Sequence, residues 1–174
     1  MDLPDELVLP VPEALLRALR EDDWILDQAL SRVPDVPRWT YHPADASAEQ
    51  ARDRVARSIA LRADGRGGRF VVESGGAAVG LVGLGLRADG PSVYYAFLPA
   101  GRGRGLATAS VRAVAGWALD HGADEVRART MLENGPSERV LERAGFRRGG
   151  LDVDPDGVTV TLWTLTGEPQ PTVG

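Results

Sequence analysis

Leu98-Pro99-Ala100-Gly101-Arg102-Gly103-Arg104-Gly105-Leu106-Ala107-Thr108 is the stretch on which the reading of this 174-residue chain turns. It follows a short strand-like run rich in Tyr and Phe, Ser92 to Leu98. It opens the strongest helical pattern in the chain, Leu106 to His121, which is small or apolar at Leu106, Ala109, Ala113, Trp117 and Ala118, with Gly122 placed to end it. Glycines in such a turn let the backbone approach a ligand closely. The first amides of the helix have no internal partner and sit at the positive end of its dipole, so the turn suits an anion. Arg102 and Arg104 add charge and paired donors suited to phosphate. The dinucleotide fingerprint is not met, because Gly103 and Gly105 lack the third glycine at its required spacing.

Working outward, Leu15 to Leu19 reads as a strand or a short helical turn, and periodicity does not decide between them. Asp22 or Asp23 is placed to cap a helix running to about Ser31, ended by Pro34 and Pro37. A second helix starts at Ser47, with Gln50 at capping-box spacing and Val55 and Ile59 on one face, and Arg62 to Gly68 reads as a loop. Phe70 to Glu73, the Gly75-Gly76 turn and Ala77 to Leu86 form an expected hairpin. After the long helix come a strand at Glu125 to Met131 and a short helix at Ser137 to Ala144 closed by Gly145. A last hairpin pairs Phe146 to Asp154 with Val158 to Leu165 around Pro155-Asp156-Gly157. The order is that of a mixed α/β domain over residues 15–166, with an N-terminal arm at 1–14 and a flexible tail at 167–174.

Composition narrows the chemistry. All 20 basic residues are arginine against 25 acids, for a net charge of -5, and there is no cysteine. Without lysine there is no Walker-type phosphate loop and no Schiff base; without cysteine there is no thiol nucleophile, disulfide or thiolate-held metal. His42 and His121 share no metal-ligand spacing, so no metal is expected, and no G-x-S-x-G elbow marks a hydrolase. The start carries Asp2, Asp5 and Glu6 in place of a basic region, and the longest apolar run, Ala77 to Leu86, is too short to span a bilayer. The expectation is a cytoplasmic protein with neither nucleic acid nor membrane as partner.

Arg102-Gly103-Arg104-Gly105-Leu106-Ala107 resembles the Q/R-x-x-G-x-G/A motif of the GNAT superfamily of acyl-CoA-dependent N-acyltransferases. Glu133-Asn134-Gly135-Pro136-Ser137 through Leu141-Glu142-Arg143-Ala144-Gly145-Phe146 is similar to the Asn-x-x-Ser, Leu-Glu-x-x-Gly-Phe segment of its ribosomal-protein N-terminal acetyltransferase branch. The resemblance implies an α/β, GNAT-like fold: a central, mostly antiparallel, V-splayed sheet flanked by helices. It implies acetyl-CoA as co-substrate, its pyrophosphate on the amides of Gly103, Arg104, Gly105, Leu106, Ala107 and Thr108, flanked by Arg102 and Arg104. Its pantetheine arm would pair with backbone at Phe97 and Leu98, where the strand splays from Glu125 to Met131, and Asn134 would hold that arm. Ser137 would then sit near the sulfur and protonate the departing thiolate. The residues themselves offer another account: Asn134 is a good N-cap and Pro136 suits a first turn.

Several members of the superfamily carry a carboxylate base on the strand before the loop, and Ser92 to Phe97 holds none. Tyr94 joins Ser137 as a catalytic candidate on that strand. Trp39, Tyr41, Tyr95 and Asp152 are the candidates for binding the acceptor, with Trp163 on the last strand either a pocket wall or core. The reading is acetyl transfer to a primary amine, on a protein N-terminus or a small molecule, by direct attack. Its alternatives are a non-catalytic CoA-binding module and the same scaffold using another acyl-CoA. A homodimer through an exposed edge strand is compatible with the pattern.

Overall fold

The computed structural model describes residues 2–87, 89–154 and 156–167. Eight strands form one sheet: β1 (Glu6–Val8), β2 (Ala14–Ala18), β3 (Gly67–Ser74), β4 (Ala77–Arg87), β5 (Gly90–Phe97), β6 (Glu125–Met131), β7 (Arg147–Val153) and β8 (Thr159–Thr166). Their spatial order is β1-β2-β3-β4-β5-β6-β8-β7, and every neighbouring pair is antiparallel except β5 with β6. That parallel pair meets at one register position, Ser92 opposite Arg127. Beyond Ser92 the two strands part, and the sheet opens into a V.

Helices cover both faces. On one, α1 (Trp24–Ser31) and α3 (Ala48–Ala63) bury Leu26, Leu30 and Val55 against Val71 and Leu81, with the short α2 (Asp35–Trp39) adding Val36. On the other, α4 (Leu106–Asp120) and α5 (Gly135–Ala144) bury Leu106, Val114 and Leu141 against Phe70, Val82, Leu84 and Trp163. Strands β3 and β4 are covered twice, and their nearly continuous apolar runs follow from that.

Short-range signals place most boundaries. Ser47 Oγ accepts the Gln50 amide at 3.1 Å while Gln50 Oε1 accepts the Ser47 amide at 2.8 Å, the reciprocal cap that starts α3. Gly145, at φ 98°, takes the left-handed turn that ends α5. Leu15 to Leu19 proves to be strand, since β2 pairs with β3 from Ala14 to Ala18.

The structure corrects three readings. The N-terminal arm contributes β1, an edge strand on β2, and buries Leu9. The predicted Arg62 to Gly68 loop is shorter, because α3 runs to Ala63 and β3 starts at Gly67. Asp23 does not cap α1 with its side chain: its carboxylate accepts Arg17 Nη1 and Nη2, each at 2.8 Å, and the Arg20 amide at 2.6 Å. The helix expected to run to about Ser31 does end there, before Pro34, and Pro37 falls in the first turn of the further short helix α2, where its missing N–H has no helical partner to lose. The tail expected at 167–174 falls, after Gly167, outside the described residues, as does Pro155 of the last turn.

Candidate active site

The site forms where the V opens. Leu98 donates its amide to the Val79 carbonyl at 2.9 Å, toward β4. Backbone direction alternates along a strand, so Tyr95 and Phe97 turn their polar groups the other way, into the gap beside β6. The free edge expected at Phe97 and Leu98 is thus offered by the Tyr95 backbone and the Phe97 amide, since the Leu98 amide is committed to the sheet and the Phe97 carbonyl accepts the Arg102 side chain.

The loop after β5 has the form its glycines suggested. Gly103 and Gly105 take φ of 73° and 75°, and a Cβ at either would meet nothing within 4 Å. These glycines therefore serve the left-handed turn and leave open space beside the backbone. Among the described residues, none of the amides from Gly103 to Thr108 donates to another backbone group outside a helix, and Leu106 to Thr108 form the first turn of α4, where no intrahelical acceptor exists. An anion with several acceptor oxygens fits this cradle.

Its two arginines differ. Arg102 folds back: Nε and Nη2 donate to the Phe97 carbonyl at 3.1 and 2.8 Å, and Nη1 and Nη2 donate to the Asp35 carboxylate at 2.7 and 2.9 Å. The hydrogen bonds from Arg102 hold the Asp35 carboxyl below its ordinary range. Arg104 bonds Ser74 Oγ at 2.8 Å and, among the described residues, has no carboxylate partner. The guanidinium left to meet an anion at this loop is therefore that of Arg104.

Across the gap, Asn134 Oδ1 accepts the Ser137 amide at 3.3 Å and caps α5, which begins at Gly135, two residues before the expected start. Ser137 meets Tyr95, whose Oη lies 2.6 Å from Ser137 Oγ and 3.2 Å from the Ser137 carbonyl oxygen. Burial pushes the Tyr95 phenol up to about 12 against the opposing effect of the Ser137 hydrogen bond. Tyr94, one residue earlier, lies on the opposite face, its ring against Gly83 and 5.8 Å from the Arg69 guanidinium. Of the two catalytic candidates, Ser137 is thus paired with Tyr95, and Tyr94 faces the α1 and α3 side.

The other acceptor candidates are spread around that second side. Trp39 ends α2 beneath the Arg38 guanidinium at 4.5 Å, and Tyr41 is exposed in the loop that follows. Asp152, on β7, accepts Arg129 Nε at 3.1 Å, and Arg129 also donates to Asp89 at 3.0 Å. Asp154 does not share its solvent-facing position. It is buried, and its Oδ1 accepts the amides of Asp156 and Val158 to shape the last turn. Trp163 is fully buried, which makes it core and not a pocket wall.

Sequence reasoning passed over one group altogether. Asp27, on α1, is fully buried and accepts Arg54 Nε at 3.0 Å and Arg69 Nη1 at 3.2 Å, while His42 Nε2 lies 3.5 Å from its carboxylate and 2.8 Å from its carbonyl. The cluster pins the loop after α2, and with it Tyr41, to α1, α3 and β3. An acid on the apolar face of a helix is the signal that could have marked it. Among the described residues no group of three acids or histidines is placed to hold a metal, and no helix is long and apolar enough to cross a membrane.

Comparison with known proteins assigns the fold and the family. Mycobacterium smegmatis RimJ, solved in complex with CoA-disulfide, is 26% identical over 98% of this chain and 91% of that one, with a TM-score of 0.76. An aminoglycoside acetyltransferase, AAC(6')-Ib, solved with coenzyme A, shares the fold at 20% identity, with coverage of 88% and 94% and a TM-score of 0.75. An acetyltransferase from Salmonella typhimurium that modifies the N-terminal serine of ribosomal protein L7/L12 also shares it, at 17% identity, with coverage of 90% and 96% and a TM-score of 0.79. No protein of curated function matches the chain by sequence. The profile of the acetyltransferase (GNAT) domain matches residues 14–147, and the chain belongs to that family.

Proposed function

We propose that this acetyltransferase moves an acetyl group from acetyl-CoA to a primary amine, on a protein N-terminus or a small molecule, by direct attack. The observation that carries the proposal is the row of unpartnered amides from Gly103 to Thr108 set beside the open edge of β5. The amides and Arg104 take the pyrophosphate, the Tyr95 backbone and the Phe97 amide take the pantetheine arm, and Asn134 and Ser137 lie across the gap. When bound, the co-substrate supplies the activated acyl group; the protein holds and orients the reactants, which is itself a large share of catalysis. The carbon–nitrogen bond forms as the carbon–sulfur bond breaks, the electron pair leaves on sulfur as a thiolate, and the Ser137 hydroxyl, keeping its proton, donates a hydrogen bond to it. The amine's proton leaves to water, since β5 carries no carboxylate to take it. RimJ, solved with CoA-disulfide, and AAC(6')-Ib, solved with coenzyme A, support the cofactor.

Calorimetric titration with CoA and with acetyl-CoA tests the first half, and an amine panel read by a thiol-reactive dye tests the second. The chain has no cysteine, so the dye reports only released CoA. Saturable binding and amine-dependent release are expected. Binding without release from any amine, even over long incubation, would favour the non-catalytic reading that the carboxylate-free strand suggests.

Two substitutions divide the site. Ser137→Ala is expected to slow transfer by about a hundredfold while leaving CoA affinity near wild type, the usual scale for a lost hydrogen-bond donor to developing negative charge. Unchanged turnover would remove Ser137 from the chemistry. Arg104→Ala is expected to weaken CoA binding by about tenfold and to flatten its salt dependence, as loss of one charge-assisted phosphate contact should. Unaltered affinity at low salt would count against that contact.

A further inference from the structure

We propose that Tyr95 is a positioning residue that aims the Ser137 hydroxyl at the leaving sulfur through a hydrogen-bond rotor, an inference that rests on the CoA-dependent reading above. The Tyr95 hydroxyl stands within reach of two acceptors on one residue, Ser137 Oγ at 2.6 Å and the Ser137 carbonyl at 3.2 Å. A phenol has one proton to give, while its oxygen can also accept. With no ligand present, both hydroxyl protons are satisfied when Ser137 donates to Tyr95 Oη and Tyr95 donates to the Ser137 carbonyl.

An anionic sulfur at the gap changes the better arrangement. Ser137 turns its O–H to the sulfur, and Tyr95 swings its proton from the carbonyl to Ser137 Oγ. Every hydroxyl keeps a partner throughout, and the serine O–H is strengthened as a donor because its own oxygen now accepts. Tyr95 loses no proton at any stage. Its burial, which pushes the phenol up to about 12, keeps it protonated and able to donate to Ser137 Oγ. The alternation of β5 is what makes the pair possible: Tyr94 points away, and Tyr95 alone reaches α5.

The test uses the intact protein and the thiol of CoA as probe. A donor aimed at sulfur stabilises the thiolate and lowers the pKa of bound CoA. With no cysteine in the chain, the ultraviolet absorbance of thiolate reports CoA alone. Tyr95→Phe keeps the ring in the core and removes only the hydroxyl; its melting temperature, compared with wild type, checks the fold. The expected result is a raised pKa for bound CoA and a kcat lower by about tenfold, the upper scale of one neutral hydrogen bond, with KM for acetyl-CoA unchanged. In a Ser137→Ala background the same substitution is expected to change neither quantity. Wild-type values in Tyr95→Phe, or equal losses in both backgrounds, would overturn the proposal while the CoA reading stands. No binding of CoA by the wild type would overturn that reading, and this proposal with it.

Discussion

Asp27→Ala is expected to destabilise the protein by about 3–5 kcal/mol, the usual cost of removing one partner from a buried ion pair. The carboxylate is fully buried, and its removal strands Arg54 and Arg69, each only 18% exposed, beside His42. Coulomb attraction in the intact cluster is partly cancelled by the cost of taking these charges out of water, so the cluster's net worth is far smaller than the loss on breaking it. In a chain of this size the expected fall in Tm is on the order of 10 °C. Asp27→Asn, which keeps the shape and removes the charge, is expected to fall between wild type and Asp27→Ala. A melting curve unchanged in Asp27→Ala would show that the stranded arginines find water without cost, and would sink the argument.

The same carboxyl sets a pH dependence. Burial acts to raise its pKa, but the hydrogen bond from His42 and the charges of His42, Arg54 and Arg69 outweigh that, so it lies below its ordinary value of 3.8. A depressed carboxyl contributes its stability fully above the unfolded value and loses it as pH falls through the lower folded one. Wild type and Asp27→Asn should therefore differ at neutral pH and converge in acid below 3.8. The functional consequence follows from the loop that the cluster pins: at temperatures where Asp27→Asn remains folded, KM for the acceptor should rise more than KM for acetyl-CoA.

Features set by neighbouring residues were legible in the sequence, and those set by distant contacts were not. The Ser47 and Gln50 cap, the Gly145 stop, the glycine turn before α4 and the antiparallel meander are fixed within a few residues, and each is found where its chemistry put it. The ion pair of Arg102 with Asp35 joins positions 67 apart, and the contact of Tyr95 with Ser137 joins positions 42 apart. Nothing local announces either. A phosphate-binding loop supplied a sufficient account of Arg102, and that account had no place for a carboxylate from α2. The two tyrosines of β5 show the limit in its simplest form. Alternation says that Tyr94 and Tyr95 face opposite ways, but which face receives α5 depends on how the chain crosses the sheet.

Trp163 poses the same question of face, and its answer makes the second large prediction: Trp163→Ala is expected to cost about 3–5 kcal/mol from lost burial and the cavity left behind. The side chain is wholly enclosed in the core shared with Leu141, Ala144 and Phe146, opposite the small Ala128 of β6. Its Nε1–H donates to Thr130 Oγ1 at 3.0 Å, so truncation also leaves that buried hydroxyl without its donor, adding about 1 kcal/mol or more. Trp163→Phe restores most of the volume and loses only the hydrogen bond, so it should recover more than half of the stability. Because α5 rests on this core and carries Ser137, the alanine variant should lose kcat along with stability, whereas the phenylalanine variant should keep KM for the acceptor at its wild-type value. A raised acceptor KM in Trp163→Phe with stability intact would return Trp163 to the acceptor site and contradict its burial. Urea unfolding of the two variants beside wild type separates these outcomes, since a core residue shifts the midpoint and a pocket wall does not.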